Sequence, residues 1–225
     1  MNPDHEDKPA SSTDPAPAES TRTEAPRDDD SPHMLAISLA VVSAAALIGG
    51  RDLLLWLRYE RDGILAGEVW RVLTAHIAHL SWAHLGLNIA GLALLWLMFA
   101  RQLSIGRWAI VVTCSALGVS AGLLAFHPEL QWYVGMSGVL HGMFVVGAVA
   151  GVCAGYRFEW LLLGMVSLKL IWEQIAGATP ATAQIVGGSV IVDAHLYGAF
   201  AGLLTMLAFI AVDRYRKPPA PETSA

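Results

Sequence analysis

The chain has 225 residues, 55% of them hydrophobic and 15% charged, with a mean hydropathy of +0.50; such values exclude a water-soluble globule and require apolar stretches of membrane-spanning length. The formal charge of −5 describes the leader rather than the folded part, because residues 1–33 alone hold nine Asp/Glu against three Lys/Arg. Cys114 and Cys153 both fall in apolar runs, which excludes a disulfide framework and leaves them as free thiols filling core space.

Residues 1–33, rich in Pro, Ser, Thr, Ala and acid, cannot bury a core and are expected as a disordered acidic tail. The first apolar run starts near Met34 behind an acidic leader, so it is read as a retained span rather than a cleaved signal. Hydropathy predicts six membrane helices, at 34–50, 76–100, 108–126, 136–155, 159–176 and 189–212. The expected fold class is therefore an all-α membrane protein, with one membrane domain over 34–217 and a short flexible tail over 218–225. Segment 51–71 mixes charge with Leu and Trp, as suits a short amphipathic piece at the interface.

Arg101, Arg107, Arg157, Arg214, Arg216 and Lys217 fall in connectors on one side of a six-helix path, the side that also takes both termini. The positive-inside bias makes that side cytoplasmic. Arg51, Arg58, Arg61 and Arg71, interleaved with acids on the opposite side, run against this orientation. In this topology the second, fourth and sixth helices run in the same direction. His84, Ser137 and His195 then all lie within about 12 Å of the outer surface, at about 1.5 Å per residue.

Polar groups at that depth are costly and usually functional. Ser137, between Gly135 and Gly138 at a helix start, offers a hydroxyl and nearby backbone N–H groups; Ser and Gly are also ordinary packing residues in membranes. His195 stands above a Gly198/Gly202 face, matched by Gly138 and Gly142 on the fourth helix, and such faces bring backbones together. A Ser–His pair suffices for nucleophile activation. His84 and Asn88, spaced i, i+4, share a face and can both donate to an oxyanion. His79 is read as structural, His76 has no assigned role, and Asp193 is read as a loop-end or interfacial acid. His141, one turn beyond Ser137, is assigned support beside His195. No cysteine or acid joins these imidazoles in the sequence and no metalloprotease motif is present, so neither metal nor other cofactor is expected. Lys169 and Glu173 form an i, i+4 pair that either neutralises itself or, with Trp172, lines substrate access between the fifth and second helices.

These pieces together resemble rhomboid proteases: Trp70-Arg71 in the first loop, His79 and His84-Leu85-Gly86-Leu87-Asn88, Gly135-Met136-Ser137-Gly138, and His195-Leu196-Tyr197-Gly198 with Gly202. The resemblance implies a six-transmembrane-helix bundle. It makes Ser137 the nucleophile, His195 the base, His84, Asn88 and the Ser137 amide the oxyanion hole, and His79 a loop organiser. Where many bacterial rhomboids carry a tyrosine four residues after the serine, this chain has His141. With Lys169-Leu170-Ile171-Trp172-Glu173-Gln174 and Asp193-Ala194-His195, that feature resembles the rhombosortase subfamily. The subfamily implies exported substrates that end in a glycine-rich motif, an apolar helix and a basic tail, cut near the glycines and passed to water or another acceptor. It also implies a multi-pass protein of the bacterial inner membrane, its termini cytoplasmic and its site opening to the periplasm. The lipid bilayer and membrane-anchored proteins are the expected partners, and nucleic acid is not. Two other readings stay open: a generalist rhomboid cutting single-span proteins, and a non-catalytic rhomboid-like protein that binds membrane clients.

Overall fold

The computed structural model describes residues 31–216. Its elements are α1 (Ser31–Ile48), α2 (Gly50–Leu57), β1 (Tyr59–Glu60), α3 (Arg61–Leu65), α4 (Arg71–Thr74), α5 (Trp82–Phe99), a 3-10 turn (Ala100–Gln102), α6 (Ile105–Phe126), β2 (Trp132–Tyr133), α7 (Ser137–Cys153), α8 (Phe158–Ala176), α9 (Pro180–Val186) and α10 (Val192–Arg216). The six expected apolar runs coincide with α1, α5, α6, α7, α8 and α10, with ends displaced by up to six residues. Most of the acidic tail and the whole 218–225 segment lie outside the described residues; residues 31–33 form the first turn of α1.

Capping accounts for the displaced ends. Ser81 is extended and its hydroxyl accepts the His84 N–H at 3.1 Å, so α5 starts at Trp82, and residues 75–81 turn instead of continuing a helix. Thr179 caps α9 in the same way, with Pro180 at the first helical position. Gly177, with φ of 72°, ends α8, and the chain bends by 96° into α9.

Among the described residues, α5 with its 3-10 turn, α6 and α10 are long and apolar enough to cross a membrane, and the bent α8–α9 pair makes a fourth span if taken as one. α1 and α7 are apolar but shorter. At 17 residues α7 reaches only about 25 Å, against a hydrocarbon core of about 30 Å. Its length is explained by its place: α5, α6, α8 and α10 all pack on it, and ten of its residues are buried. The expectation of six spans therefore holds, by length and composition, for three or four segments.

The main core gathers Leu92, Leu95, Trp96 and Phe99 of α5, Trp108 and Val111 of α6, Val139, Met143 and Val146 of α7, and Met206 of α10. The α7–α10 seam is a different kind of contact. A Cβ added to Gly198 would stand 1.9 Å from the Gly138 carbonyl oxygen, and one added to Gly202 would stand 2.4 Å from that of Gly142. Backbone meets backbone there, as the small-residue faces predict.

Segment 51–71 is more elaborate than a single amphipathic piece. α2 is followed by β1, which pairs antiparallel with β2 in the register Tyr59–Tyr133 and Glu60–Trp132, and then by α3 and α4. This pairing fastens the first loop to the residues just before Ser137. Three of the four arginines that ran against the orientation are used internally, while Arg51 is exposed. Arg58 pairs with Glu60, and Arg61 donates to the Leu124 carbonyl at 3.0 Å. Arg71, only 8% exposed, pairs with Glu68 and donates to the Leu55 and Arg58 carbonyls at 2.8 and 3.0 Å. The charges of these three are held by carbonyls and carboxylates of the fold. Both cysteines are free, but Cys153 is exposed rather than core, because it is the last residue of α7.

Candidate active site

Ser137 is the first residue of α7 and His195 lies in the first turn of α10, so the glycine seam sets their separation. His195 Nε2 stands 2.9 Å from Ser137 Oγ. The imidazole is 5% exposed. Its Nδ1 donates to the Glu173 carboxylate at 2.9 Å, which leaves Nε2 as the acceptor for the serine proton.

Gly135 enters the site with φ of +126°, a conformation that a side chain rarely takes. A Cβ there would also stand 2.9 Å from His84 Nε2. The Gly135 amide donates to the Ala75 carbonyl, and its own carbonyl accepts the buried Tyr133 hydroxyl at 2.9 Å. His84 Nδ1 accepts the Leu80 N–H at 3.5 Å, so the ring proton belongs on Nε2, the edge toward Gly135. Asn88 is 4% exposed and uses one amide hydrogen on the His84 carbonyl at 3.0 Å, which leaves the other available. With the N–H groups at the start of α7, these are donors suited to a developing oxyanion.

His79 is buried; its Nδ1 donates to the Ile77 carbonyl, and its ring meets that of His84 edge-on at 4.9 Å. His76, without a role in the sequence reading, packs its Nε2 3.2 Å from Ser120 Oγ and so joins the first loop to α6. Burial pushes both imidazoles down to about 4, which keeps them neutral at neutral pH. Asp193 turns to His127, 3.7 Å away.

His141 is brought to His195 face to face: the rings stack at 4.2 Å and 19°. Its Nδ1 donates to the Ser137 carbonyl at 2.7 Å, so it braces the base and the backbone of the nucleophile together. The expectation that no acid joins the histidines is corrected here. Glu173, in the last turn of α8, gives one oxygen to His195 and the other to Lys169 at 2.6 Å. Trp172, 61% exposed, lines the cavity beside them. Ligand-type atoms of His141, Glu173 and His195 lie within 4.8 Å of one another. The set fits a metal ion poorly: stacked rings hold their lone pairs side by side rather than convergent, and the Lys169 ammonium already occupies the carboxylate.

These side chains open into a cavity of about 1340 Å³ between α5 and α8. Leu87, Gly91 and Leu94 of α5 and Met165, Val166 and Trp172 of α8 line it, together with Thr179, Thr182 and Val186 from the α9 region. A site of this kind joins a hydroxyl, a base, anion-stabilising donors and a largely apolar cavity. Such a set can carry acyl transfer.

A family model described as Rhomboid domain matches residues 66–212. The chain is 28% identical over 184 residues to the Rhomboid protease GlpG of Salmonella newport (strain SL254), covering 82% of this chain and 63% of that protein. It is 27% identical over 179 residues to the Rhomboid protease GlpG of Salmonella typhi, covering 80% and 62%. The chain thus spans a little under two thirds of the length of these curated relatives.

Proposed function

Because the chain belongs to the rhomboid family, we propose that it is an intramembrane serine endopeptidase in which Ser137 is the nucleophile and His195 the general base. The observation that carries this reading is the 2.9 Å approach of His195 Nε2 to Ser137 Oγ, both residues lining a largely apolar cavity. Ser137 Oγ attacks the scissile carbonyl as His195 Nε2 takes its proton. The oxyanion is met by the Ser137 amide, His84 Nε2–H and the spare Asn88 hydrogen, each donor of this kind contributing about 3 kcal/mol. His195 then gives the proton to the leaving amine, and water or another acceptor resolves the acyl-enzyme. Gly135 leaves room for the His84 ring and Gly138 lets α7 close on α10 beside the nucleophile, His79 packs on His84, and Lys169, Trp172 and Glu173 stand on the α8 side of the cavity. The mechanism calls on no cofactor.

Its substrates are exported proteins that carry a C-terminal glycine-rich motif followed by a membrane helix, cut near the glycines. The stacking of His141 on His195, where many bacterial rhomboids carry tyrosine, supports this rhombosortase-like assignment. Glycine helps the chemistry, since it weakens a helix by about 1 kcal/mol per residue and a substrate helix must unwind to expose a peptide bond. The enzyme resides in the bacterial inner membrane, termini cytoplasmic, and works on the periplasmic side.

The test has two parts. A fluorophosphonate probe should label the purified protein and fail to label Ser137→Ala; an unlabelled wild type would end the protease reading. Mass spectrometry of a glycine-tailed client expressed with the wild type and with Ser137→Ala should find a new C-terminus near the glycines only with the wild type. A client that is left whole while unrelated single-span proteins are cut would leave the generalist reading in its place.

A further inference from the structure

Serine and imidazole alone leave the second nitrogen of His195 without an assigned duty, and the geometry supplies one. We propose that Glu173 is the orienting carboxylate of the base, so that the centre works as Ser137–His195–Glu173, with the acid contributed by a third helix. The proposal rests on the serine protease reading and adds to it a positioning residue.

Three observations carry it. The two 2.9 Å contacts of His195 use its opposite nitrogens, which fixes the ring proton on Nδ1 and turns Nε2 toward the serine. The carboxylate is itself held, because its second oxygen receives the Lys169 ammonium at 2.6 Å. The burial is also asymmetric. The Lys169 side chain is 47% exposed and can reach polar surroundings by itself, whereas that of Glu173 is 14% exposed. A carboxylate serving only to neutralise that lysine has no need to bury an oxygen against an imidazole. His141, stacked on the ring face, prevents the imidazole from tipping out of line.

In the reaction the Ser137 proton moves to His195 Nε2 as the Oγ–C bond forms and the carbonyl electron pair goes to the oxyanion. The imidazolium keeps its Nδ1–H on Glu173, which remains ionised throughout. The Nε2 proton then passes to the leaving nitrogen as the C–N bond breaks. The carboxylate holds the tautomer and offsets the charge that appears on the ring.

The experiment measures inactivation kinetics of the full chain in detergent with a fluorophosphonate probe, separating the maximal labelling rate from the half-saturating concentration. Glu173→Gln should lower the maximal rate by about 10²- to 10⁴-fold, as loss of an orienting carboxylate does, with the half-saturating concentration unchanged. Glu173→Asp should recover at least part of the rate, which guards against a folding defect as the cause. The double variant Lys169→Met/Glu173→Gln separates positioning from charge balance. It should stay as slow as Glu173→Gln. Recovery of the wild-type rate in the double variant would mean that Glu173 serves only as a counterion and would overturn the proposal, as would an unchanged rate in Glu173→Gln. Failure of the wild type itself to label strikes the underlying protease reading, a result distinct from either.

Discussion

Two sides of α7 are built on opposite rules. Toward α10 the contact is glycine on glycine, with carbonyls where side chains would otherwise be. Toward α8 and α5 the walls are large residues around a cavity: Leu94 is 56% exposed, Met165 59% and Trp172 61%. The first side has no rotamers to rearrange, so it fixes the distance between a hydroxyl and an imidazole carried by different helices. The second has room and apolar surface, as the proposed entry of a membrane-anchored substrate requires. Precision and admission are thus assigned to different faces of one helix.

The contrast is broken most severely at the seam. Gly198→Val drives its Cβ into the Gly138 carbonyl, and neither backbone can yield without moving a helix. Overpacking of this kind costs about 1–3 kcal/mol or more. The expected result is a clear drop in melting temperature together with at least a hundredfold loss of probe labelling. A normally labelled Gly198→Val would mean that the seam does not set the Ser137–His195 distance.

A milder intervention lies on α5, which supplies donors but not the seam. Asn88→Ala should slow labelling by about 10²–10³-fold, the usual effect of losing one oxyanion donor, with the melting temperature shifted by no more than a few degrees. Equal damage to stability and rate would show that Asn88 is a packing residue instead. The smallest effect belongs to the cavity wall. Trp172→Ala removes an exposed ring, so stability should change by about 0.5 kcal/mol or less, while cleavage of a membrane-anchored client changes several-fold. An unaltered client profile would detach that wall from substrate handling.

Much of this was legible in the chain. Apolar runs located all six long helices, and the Gly138/Gly142 and Gly198/Gly202 spacing foretold which two would touch. The common depth of His84, Ser137 and His195 followed from running three helices in one direction. The same reasoning extends to Glu173. Its helix runs the other way, so a residue three positions from its end reaches the same layer as two residues at the starts of theirs. Reading Glu173 only against Lys169 obscured this, because i, i+4 proximity is visible in sequence and proximity between helices is not. The first loop was the hardest part to read. The β1–β2 pairing is two residues long on each strand, too short for any alternation, and its partners are separated by more than seventy residues. Two arginines counted as exceptions to a topological rule, Arg61 and Arg71, bond backbone carbonyls, which charge counting does not anticipate.

One hydroxyl ties together two parts of the molecule that have to behave differently. Ser81 accepts from the start of α5 and at the same time donates to the Val186 carbonyl, at 2.8 Å, at the end of α9. The two bonds use separate features of one oxygen, so the second can open while the first holds. The α9 end is thus tied to the start of α5 by one oxygen as well as by the burial of Val186, and loss of the Val186 bond alone leaves the cap on the His84 N–H, and with it the first turn of α5, intact.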